Sequence, residues 1–274
     1  MKRYVTSILL VLMFFIGLSV LLYPTIADYV NSRVQSRAIA DYEAAIKNLT
    51  PADYSAYLEA AETYNKKISG ITFPFMNYNR VSGYNEALNV NGDGIMGFVD
   101  IEKIRAELPI YHGTDDSVLA RAAGHLKGST LPIGGESTHC VISAHRGLPS
   151  AKLFTNLDKI VVGDTFTLTV LNRVLTYEVD QILIVEPQDV EPLYIVEGED
   201  YCTLVTCTPY GINTHRLLVR GKRIETATPK PRLFVVSDGY LIDPIIVTPA
   251  VAAPMLFVLF IFLMIKYRKK KTDK

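Results

Sequence analysis

Three residue types in the second half of this 274-residue sequence could together perform nucleophilic chemistry on a carbonyl group. A cysteine nucleophile must be a thiolate, which a neighbouring imidazole supports, and the tetrahedral intermediate needs a fixed donor for its oxyanion. Cys207 lies in the segment TLVTCTPYG, and Arg216 follows it in THRLLVRG. His145 ends the segment HCVISAH and opens a turn, from which a side chain can reach a cleft. We therefore select His145, Cys207 and Arg216 as candidate catalytic residues.

The strand pattern around Cys207 limits which side chains it can contact. Cys202 and Cys207 are five positions apart, so in an extended strand they point to opposite faces and cannot form a disulfide with each other. The same alternation places Arg216 and Arg220 on the face opposite Leu217, and Arg216 is nearer to Cys207 along the chain. For four histidines a surface or packing role is favoured: His112, His125, His139 and His215.

The elements that carry these residues are predicted to be short β-strands. From about Gly97 onwards, segments rich in Val, Ile, Thr, Tyr and Leu alternate with Gly, Pro and Asp turns. Many short strands without intervening helices predict a mainly β fold, either a barrel or a sandwich. The main predicted strand segments are HCVISAH, DTFTLTVL, VLTYEVDQILIV, CTLVTC and HRLLVRGKRI.

A helical region is predicted before the strands. Apolar residues recur at helical intervals over residues 26–49. Thr50, Pro51 and Asp53 then supply a capping residue, a proline at the first helical position and a carboxylate in the first turn. A second helix should therefore begin here, and Gly70 should end it.

Residues 89–100 contain two short motifs, each of which has a simpler explanation. Oxygen-bearing side chains and a glycine occupy the spacing of a calcium-binding loop. However, Asn89 and Asp100 replace the usual Asp and bidentate Glu, and a strand-like sequence follows, so a polar turn is favoured. Residues 92–97 also fit GxGxxG but lack the flanking strand and helix that a dinucleotide site requires.

Two uncharged apolar segments, residues 4–23 and 245–265, are each long enough to cross a membrane as a helix. Lys and Arg flank their outer ends, and basic residues next to a span stay on the cytoplasmic side. Both termini are therefore predicted to be cytoplasmic, with the central part outside the cell. The first apolar stretch is long and has no nearby cleavage site, which favours a retained anchor over a cleaved signal peptide.

Charge and hydropathy exclude some classes of function. No further uncharged run of this length occurs between the two predicted spans, which excludes a many-pass transporter. The chain has 28 basic and 28 acidic residues, but several basic ones lie in the predicted cytoplasmic ends. The extracellular part is therefore acidic, which argues against nucleic acid as a partner.

The predicted organisation is a cytoplasmic N-terminus (1–3), a transmembrane helix (4–23), an extracellular helical region (24–94), a β-barrel catalytic domain (95–226), a tether (227–244), a transmembrane helix (245–265) and a basic cytoplasmic tail (266–274).

Three segments together resemble the class C sortases, the pilin-polymerising transpeptidases of Gram-positive surfaces. They are LPIYHGT (108–114), AHRGLPSAKLFTNLD (144–158) and TLVTCTPYGINTHRLLVRG (203–221), in this order between the predicted spans. The resemblance covers almost all of residues 95–224. It implies a closed β-barrel with N-terminal helices. It also implies that Cys207 is the acyl-forming nucleophile, that His145 is the acid/base, and that Arg216 positions and stabilises the substrate carbonyl.

The resemblance further implies a lid, a segment that covers the cysteine in class C sortases with an Asp-Pro-aromatic motif. The corresponding lid segment is residues 71–80, where Phe73, Pro74 and Phe75 occupy the motif. Phe73 replaces the usual aspartate, so the family's lid carboxylate and its contact with Arg216 are absent. We therefore expect the lid to close by burying Phe73 or Phe75. The alternative is that both rings pack on the barrel as a hydrophobic hinge.

The function that the resemblance implies is that of a membrane-anchored cysteine transpeptidase on the outer face of the cell. Cys207 would attack the Thr-Gly carbonyl of an LPxTG-like sorting signal, and a pilin lysine amine would resolve the thioacyl enzyme. No metal and no organic cofactor is required. Two alternatives stay open: an enzyme of the same chemistry that attaches proteins to the cell wall or hydrolyses them, and a non-enzymatic calcium-binding surface module.

Overall fold

The structure, a computed structural model, describes residues 2–226 and, near the C-terminus, residues 253, 254, 256–258, 260 and 261. The predicted tether (227–244) and basic tail (266–274) lie outside the described residues, as does most of the predicted span 245–265. The chain divides into two compact units. One comprises Val30–Lys230, and the other comprises Met1–Tyr29 with Pro231–Lys274.

The N-terminal helix, α1, extends from Lys2 to Lys47 without interruption. Pro24 lies inside it, so the apolar stretch and the following amphipathic stretch are one helix rather than two. A proline within a helix removes one backbone hydrogen bond but does not end this one. Among the described residues, one helix is long and apolar enough to cross a membrane, and it lies within α1. This apolar helix is suited to the membrane anchoring that the sequence predicts.

The second helix, α2, extends from Pro51 to Ser69, as the sequence predicts. Thr50 and Asp53 form a capping box, in which each side chain pairs with the backbone N–H of the other residue. The box satisfies N–H groups that the first helical turn leaves without intrahelical partners. The buried face of α2 carries Ala61, Tyr64 and Ile68, which pack against the outside of the barrel.

Eight strands of the described region form a closed barrel in the order β1-β2-β3-β4-β7-β8-β6-β5, which confirms the predicted mainly β, closed-barrel fold. The neighbours β2/β3 and β4/β7 are parallel, and the other neighbouring strands are antiparallel. The strands are β1 (Ile95–Ile101), β2 (Ala106–His112), β3 (Ala123–His125), β4 (Thr138–Ser143), β5 (Thr165–Val170), β6 (Arg173–Val185), β7 (Asp200–Thr208) and β8 (His215–Ile224). Short helices α3 (Pro74–Asn77) and α4 (Asp116–Leu119) and 3-10 turns at Tyr78–Arg80, Glu102–Ile104, Leu157–Lys159 and Glu191–Leu193 complete the described elements.

Residues 89–94 form a hydrogen-bonded turn that leads directly into β1. The side-chain oxygen of Asn89 accepts a hydrogen bond from the Gly94 N–H (2.9 Å), and that of Asp93 accepts one from the Ile95 N–H (3.0 Å). The strand that follows leaves no room for the exiting helix of a calcium loop, so the structure favours the polar turn. Gly97 has a packing role, because a Cβ atom there would collide with the Thr169 carbonyl oxygen on β5.

Tyr42 joins the C-terminal part of α1 to the barrel. Its hydroxyl donates to the Met96 carbonyl (2.9 Å) and accepts from the Leu171 N–H (2.8 Å), and the side chain is fully buried. Burial raises the pKa of Tyr42 to about 12, so the phenol stays neutral at physiological pH. This contact fixes the helical region against one end of β1 and the turn after β5.

Candidate active site

Cys207 and Arg216 are directly opposite each other on β7 and β8. The antiparallel register pairs Cys207 with Arg216 and, two positions away, Val205 with Leu218. Because side chains alternate along a strand, all four point to the same face. Val205 and Leu218 belong to a cluster outside the barrel, whereas Leu217 lies in its interior core. The candidate nucleophile and the candidate oxyanion donor are therefore neighbours on the outer face.

The position of His145 relative to Cys207 follows from the register of β4 with β7. The parallel register of β4 and β7 pairs Ser143 with Val205, so two further residues bring His145 level with Cys207. The Ala144 N–H donates to the Val205 carbonyl (3.1 Å), which continues this pairing past the end of β4. Since neighbouring strands are about 4.8 Å apart, the three candidates lie in the order His145, Cys207, Arg216 across adjacent strands.

Cys207 differs from the other two cysteines in its exposure. Cys140 and Cys202 are buried register partners inside the barrel, and all three thiols are free. Burial raises the pKa of Cys202, which keeps this thiol protonated and unreactive. Cys207 is only partly buried and points outwards, so it is the thiol that a substrate can reach. The predicted opposite orientation of Cys202 and Cys207 matches this arrangement.

The guanidinium of Arg216 is held by backbone groups of the preceding loop. Its Nη1 donates to the carbonyl oxygens of Asn213 (3.2 Å) and His215 (3.0 Å). These bonds use one nitrogen, which leaves the other N–H groups of the planar fork available for a substrate carbonyl. Arg220, the other arginine on this face, instead forms a bidentate pair with Asp180. Arg216 is therefore better placed than Arg220 to donate to a substrate carbonyl.

A cavity of about 390 Å³ lies on the outer face next to these residues. Val205 and Leu218 line it, and Arg216 lines it at the end nearest Cys207. Neither Cys207 nor His145 is among the described residues that line it. Arg216 lies opposite Cys207 at this end of the cavity. An apolar side chain bound in the cavity would therefore place an adjoining peptide bond near Cys207. The remaining lining residues are Phe75, Tyr78, Thr114, Asp115, Leu119, Leu126, Lys127, Ser143, Val185, Pro187, Asp189, Val190 and Leu193.

Phe75, in the predicted lid, packs against the outer face of the barrel. Its ring lies 5.7 Å from the ring of Tyr194, and it contacts the apolar cluster that contains Val205 and Leu218. The helix α3 also fits closely over Gly128, where a Cβ atom would lie 2.8 Å from the Phe75 Cα. The lid segment thus covers one side of the cavity through Phe75.

Phe73, unlike Phe75, is exposed to solvent and has a strained backbone. It is 59% exposed, and its φ of 53° lies in the left-handed region. This conformation costs a non-glycine residue about 1–2 kcal/mol, and Asp tolerates it better than Phe does. Pro74 follows at the first position of α3, where its fixed φ favours the helix. Of the two phenylalanines expected to close the lid, Phe75 is the one that is packed.

Three other histidines occupy packing or surface positions. His139 is buried between β7 and the Tyr194 carbonyl: its Nδ1 donates to that carbonyl (2.9 Å), and its Nε2 accepts from the Thr203 hydroxyl (2.7 Å). Burial lowers the pKa of His139 to about 4. His125 is fully buried beside Tyr84, and His215 is exposed at the start of β8. The packing or surface roles favoured for these residues agree with their positions.

Arg146 is the residue at this site that the sequence does not single out. It follows His145 directly, its side chain is only 9% exposed, and its Nη2 forms an ion pair with Asp158 (2.7 Å). Its Nη1 also donates to the hydroxyl of Thr208, the residue after Cys207 (3.4 Å). A charged residue in a turn is ordinarily solvated, so its position in the sequence gives no signal of this burial.

Comparison with known proteins places this arrangement in one family. Residues 99–224 match the sortase domain family. Among solved structures, sortase C1 from Streptococcus agalactiae is 47% identical, with a TM-score of 0.63, over 70% of this chain and 100% of that one. A sortase C from Streptococcus pneumoniae has the same identity and TM-score, over 70% of this chain and 99% of that one.

Curated relatives match over a shorter region. Sortase D of Bacillus subtilis (strain 168) is 32% identical over 131 residues, which are 47% of this chain and 63% of that protein. Sortase A of Streptococcus agalactiae serotype III (strain NEM316) is 31% identical over 135 residues, which are 48% of this chain and 54% of that protein. The matched region therefore spans less than two-thirds of either curated relative.

Proposed function

The chain belongs to the sortase family, with class C sortases among its similar structures, and on this basis we propose that it is a cysteine transpeptidase that assembles pilin subunits. The substrate is a protein that carries an LPxTG-like sorting signal. The acceptor is a lysine amine of another pilin subunit. A solved relative from Streptococcus pneumoniae is described by its pilin substrate specificity, and another from Group B Streptococcus is described as pilus-related.

One relationship supports the proposal: Cys207 and Arg216 are register partners on the outer face, and the register of β4 with β7, continued by two residues, brings His145 level with Cys207. A thiol, an imidazole and a guanidinium in this order supply the nucleophile, the proton carrier and the oxyanion donor that acyl transfer needs. The partial exposure of Cys207 supports access by a peptide.

The proposed reaction has two stages. The Cys207 thiolate attacks the carbonyl carbon between Thr and Gly of the sorting signal, and Arg216 donates hydrogen bonds to the oxyanion that forms. The C–N bond breaks as the imidazolium of His145 gives its proton to the departing amine. In the second stage a lysine amine attacks the thioester, His145 takes its proton, and the Cys207 thiolate leaves.

The lid is proposed to control access to this site. Phe75 lines the cavity beside Arg216 and packs on the outer apolar cluster, so movement of α3 would open the cavity. Gly70 precedes the segment and Gly83, with φ of 92°, follows it, and both positions suit a hinge. Closure through Phe75 is apolar, because Phe73 provides no carboxylate.

The proposed location is the outer face of the cell membrane. Residues 4–23 form the N-terminal anchor, residues 245–265 form a second span, and both termini are cytoplasmic. The apolar N-terminal helix supports the first anchor. In the unit that contains both segments, the ring of Phe14 stacks on that of Phe260 with centroids 5.1 Å apart, as expected for two apolar helices that pack together.

The proposal is tested with the full chain in detergent micelles. The chain is incubated with an LPxTG-containing peptide, and the mass of Cys207-containing fragments is measured before and after addition of a pilin domain. We expect an acyl adduct on Cys207 that disappears as a peptide–pilin conjugate forms. The variant Cys207→Ala should give neither product, whereas Cys202→Ala, which alters a buried thiol, should give both.

The fate of the adduct distinguishes the related activities. Conjugation to the pilin lysine supports pilus assembly. Transfer only to a cell-wall stem peptide would instead make the chain a cell-wall anchoring enzyme, and release of the free acid alone would make it a hydrolase. Absence of any adduct on Cys207 would refute the acyl-transfer function itself.

A further inference from the structure

Arg146 bridges the two segments that carry the candidate acid/base and the candidate nucleophile. On one side its Nη2 pairs with Asp158 at 2.7 Å, in the 3-10 turn that ends the loop after β4. On the other side its Nη1 donates to the Thr208 hydroxyl at 3.4 Å, and its guanidinium lies 5.8 Å from the ring centre of Tyr210. A single side chain therefore contacts the loop that follows His145 and the strand end that follows Cys207.

The backbone around Arg146 is fixed on the loop side by two further bonds. The His145 carbonyl accepts from the Phe154 N–H (3.1 Å), and the Gly147 N–H donates to the Thr155 hydroxyl (3.1 Å). These bonds make residues 145–155 a closed loop. They do not connect that loop to β7, and this connection depends on groups that cross between the two segments.

Two side-chain contacts cross to β7 near His145, in addition to the backbone bond from the Ala144 N–H to the Val205 carbonyl (3.1 Å). Before the histidine, the Thr206 hydroxyl donates to the Ala144 carbonyl (2.8 Å). After it, Arg146 contacts Thr208. The two contacts lie on either side of the level at which His145 faces Cys207, so together they set how the ends of β4 and β7 align at the site.

Burial of the Arg146 side chain costs free energy, and its packing contacts do not explain why it is buried. The Nε atom is buried and has no hydrogen-bond partner among the described residues. An incompletely satisfied buried cation destabilises a fold relative to an apolar residue of similar size. Conflicts of this kind occur mainly at functional sites.

We propose that Arg146 is a positioning residue for acyl transfer, which holds the His145 imidazole at the correct distance from the Cys207 thiol by bridging Asp158 to Thr208. It acts through His145 and does not touch the substrate. This inference rests on the proposed function. Misplacement of a catalytic group by about 1 Å can cost about 10²-fold in rate, so loss of the bridge should act mainly on the chemical step.

The main variant is Arg146→Lys, which keeps the positive charge. A compact ammonium can pair with Asp158 but cannot also reach Thr208 and stack over Tyr210, because it lacks the planar fork. Thr208→Val is a second, milder variant, which removes only the hydroxyl and keeps the side-chain shape. It keeps the inference testable if replacement of Arg146 prevents folding.

Arg220 provides a matched control. It pairs with Asp180 at 2.7 Å, and its guanidinium lies 4.2 Å from the ring centre of Tyr201, so it combines the same two kinds of contact. Its strand position faces Thr203, away from His145. Arg220→Lys should therefore reproduce any general loss of stability without disturbing the alignment of His145 and Cys207.

The full-length variants are compared in three measurements: kcat and KM for the sorting peptide, thermal unfolding, and the rate of Cys207 modification by a small neutral thiol reagent from pH 5 to pH 9. For Arg146→Lys we expect kcat to fall about 10- to 100-fold with little change in KM. The pH dependence of the modification rate should also change, because the imidazole of His145 is no longer held beside the thiol. Thr208→Val should change the same measurements in the same direction but less, and Arg220→Lys should keep the wild-type pH dependence and kcat.

The inference is overturned if Arg146→Lys or Thr208→Val retains the wild-type pH dependence of modification, or if Arg220→Lys loses it equally. Failure of the proposed function has a different signature, since wild-type protein would then form no acyl adduct with the peptide. The modification rates test the alignment of His145 and Cys207 in either case.

Discussion

Cys207 and Arg216 are cross-strand partners on the outer face of the barrel, at the point where β7 and β8 approach their connecting loop. The pairing fixes both side chains on the same face without any contact between them being required. The carbonyl that Cys207 is proposed to attack would consequently lie within reach of the Arg216 guanidinium. The pairing of β7 with β8 thus orients the candidate nucleophile and the candidate oxyanion donor.

Replacement of Arg216 by Lys should severely reduce transpeptidation although the charge is kept. The guanidinium is oriented by carbonyl groups of Asn213 and His215, and an ammonium cannot make these bonds and also present a planar pair of donors to an oxyanion. Loss of one oxyanion donor typically costs about 10²- to 10³-fold in kcat. The measurement is kcat for conjugate formation, and near-normal turnover would remove Arg216 from the site.

The packing of the lid predicts which phenylalanine controls access to Cys207. Phe75→Ala should speed modification of Cys207 by a bulky thiol reagent by up to about 10-fold, because the Phe75 side chain is partly buried and full burial of a Phe side chain contributes about 1.5–3 kcal/mol. Phe73→Ala is the matched control, since Phe73 is 59% exposed and should have little effect. Equal rates in wild type and Phe75→Ala would mean that residues 71–80 do not cover the thiol.

The apolar character of the lid also predicts its response to salt. A closed state held by Phe75 should show the same modification rate at low and high ionic strength, because hydrophobic contacts are not screened over these concentrations. Phe73→Asp introduces a carboxylate on the lid, and any attraction to Arg216 would then weaken as salt is added. A strong salt dependence in the wild type would contradict apolar closure.

Local patterns predict most strands correctly but miss two of them. Alternation and β-branched content identify the segments that become β4 to β8, because each has one face in the barrel core and one outside. The strand β2 contains Pro109, which argues against a strand in a local reading, and β3 has only three residues. Both strands are defined by their partners, since β3 pairs in parallel with β2 through Ala123 to His125.

Local sequence patterns likewise predict only part of the candidate site. Cys207 and Arg216 are close in sequence, and their shared face follows from hairpin geometry. The proximity of His145 depends on the parallel pairing of β4 with β7, which no local pattern specifies. The resemblance to class C sortases supplies the proximity of His145 to Cys207 indirectly. The burial of Arg146 depends on Asp158 and Thr208, which become neighbours only in the folded barrel.

A buried hydroxyl near the lid should contribute measurably to stability. Tyr84 donates to Nδ1 of His125 (2.9 Å) and accepts from the Gly113 N–H (2.9 Å). Tyr84→Phe leaves both of those groups without this partner in a buried site, at a cost of about 1–3 kcal/mol in the free energy of unfolding. Urea unfolding measures the loss. Tyr57→Phe on α2, where the residue is only partly buried, is the control, and an equal effect in both variants would contradict the role of Tyr84.

The buried imidazole of His139 predicts how stability depends on pH. Its pKa of about 4 in the folded state lies below the ordinary value of 6.5, because burial disfavours the charged form. Between pH 6.5 and pH 4 the unfolded chain therefore binds a proton at this residue that the folded chain does not bind. The stabilisation is fully present above pH 6.5 and is lost as the pH falls towards 4, by up to about 3 kcal/mol.

Comparison of wild type with His139→Gln isolates this contribution from those of other buried groups. His112 has a pKa lowered by burial and adds a loss of the same sign, whereas Asp200 has a pKa raised by burial and opposes it. Both are present in wild type and variant, so they cancel in the difference.

The free energy of unfolding, measured in urea at intervals from pH 4 to pH 7, should fall more steeply with acidification in the wild type. His215→Gln, at an exposed histidine, should keep the wild-type slope. Parallel curves for wild type and His139→Gln would show that His139 is protonated at the same pH in the folded and unfolded chains, contrary to its burial against Tyr194 and Thr203.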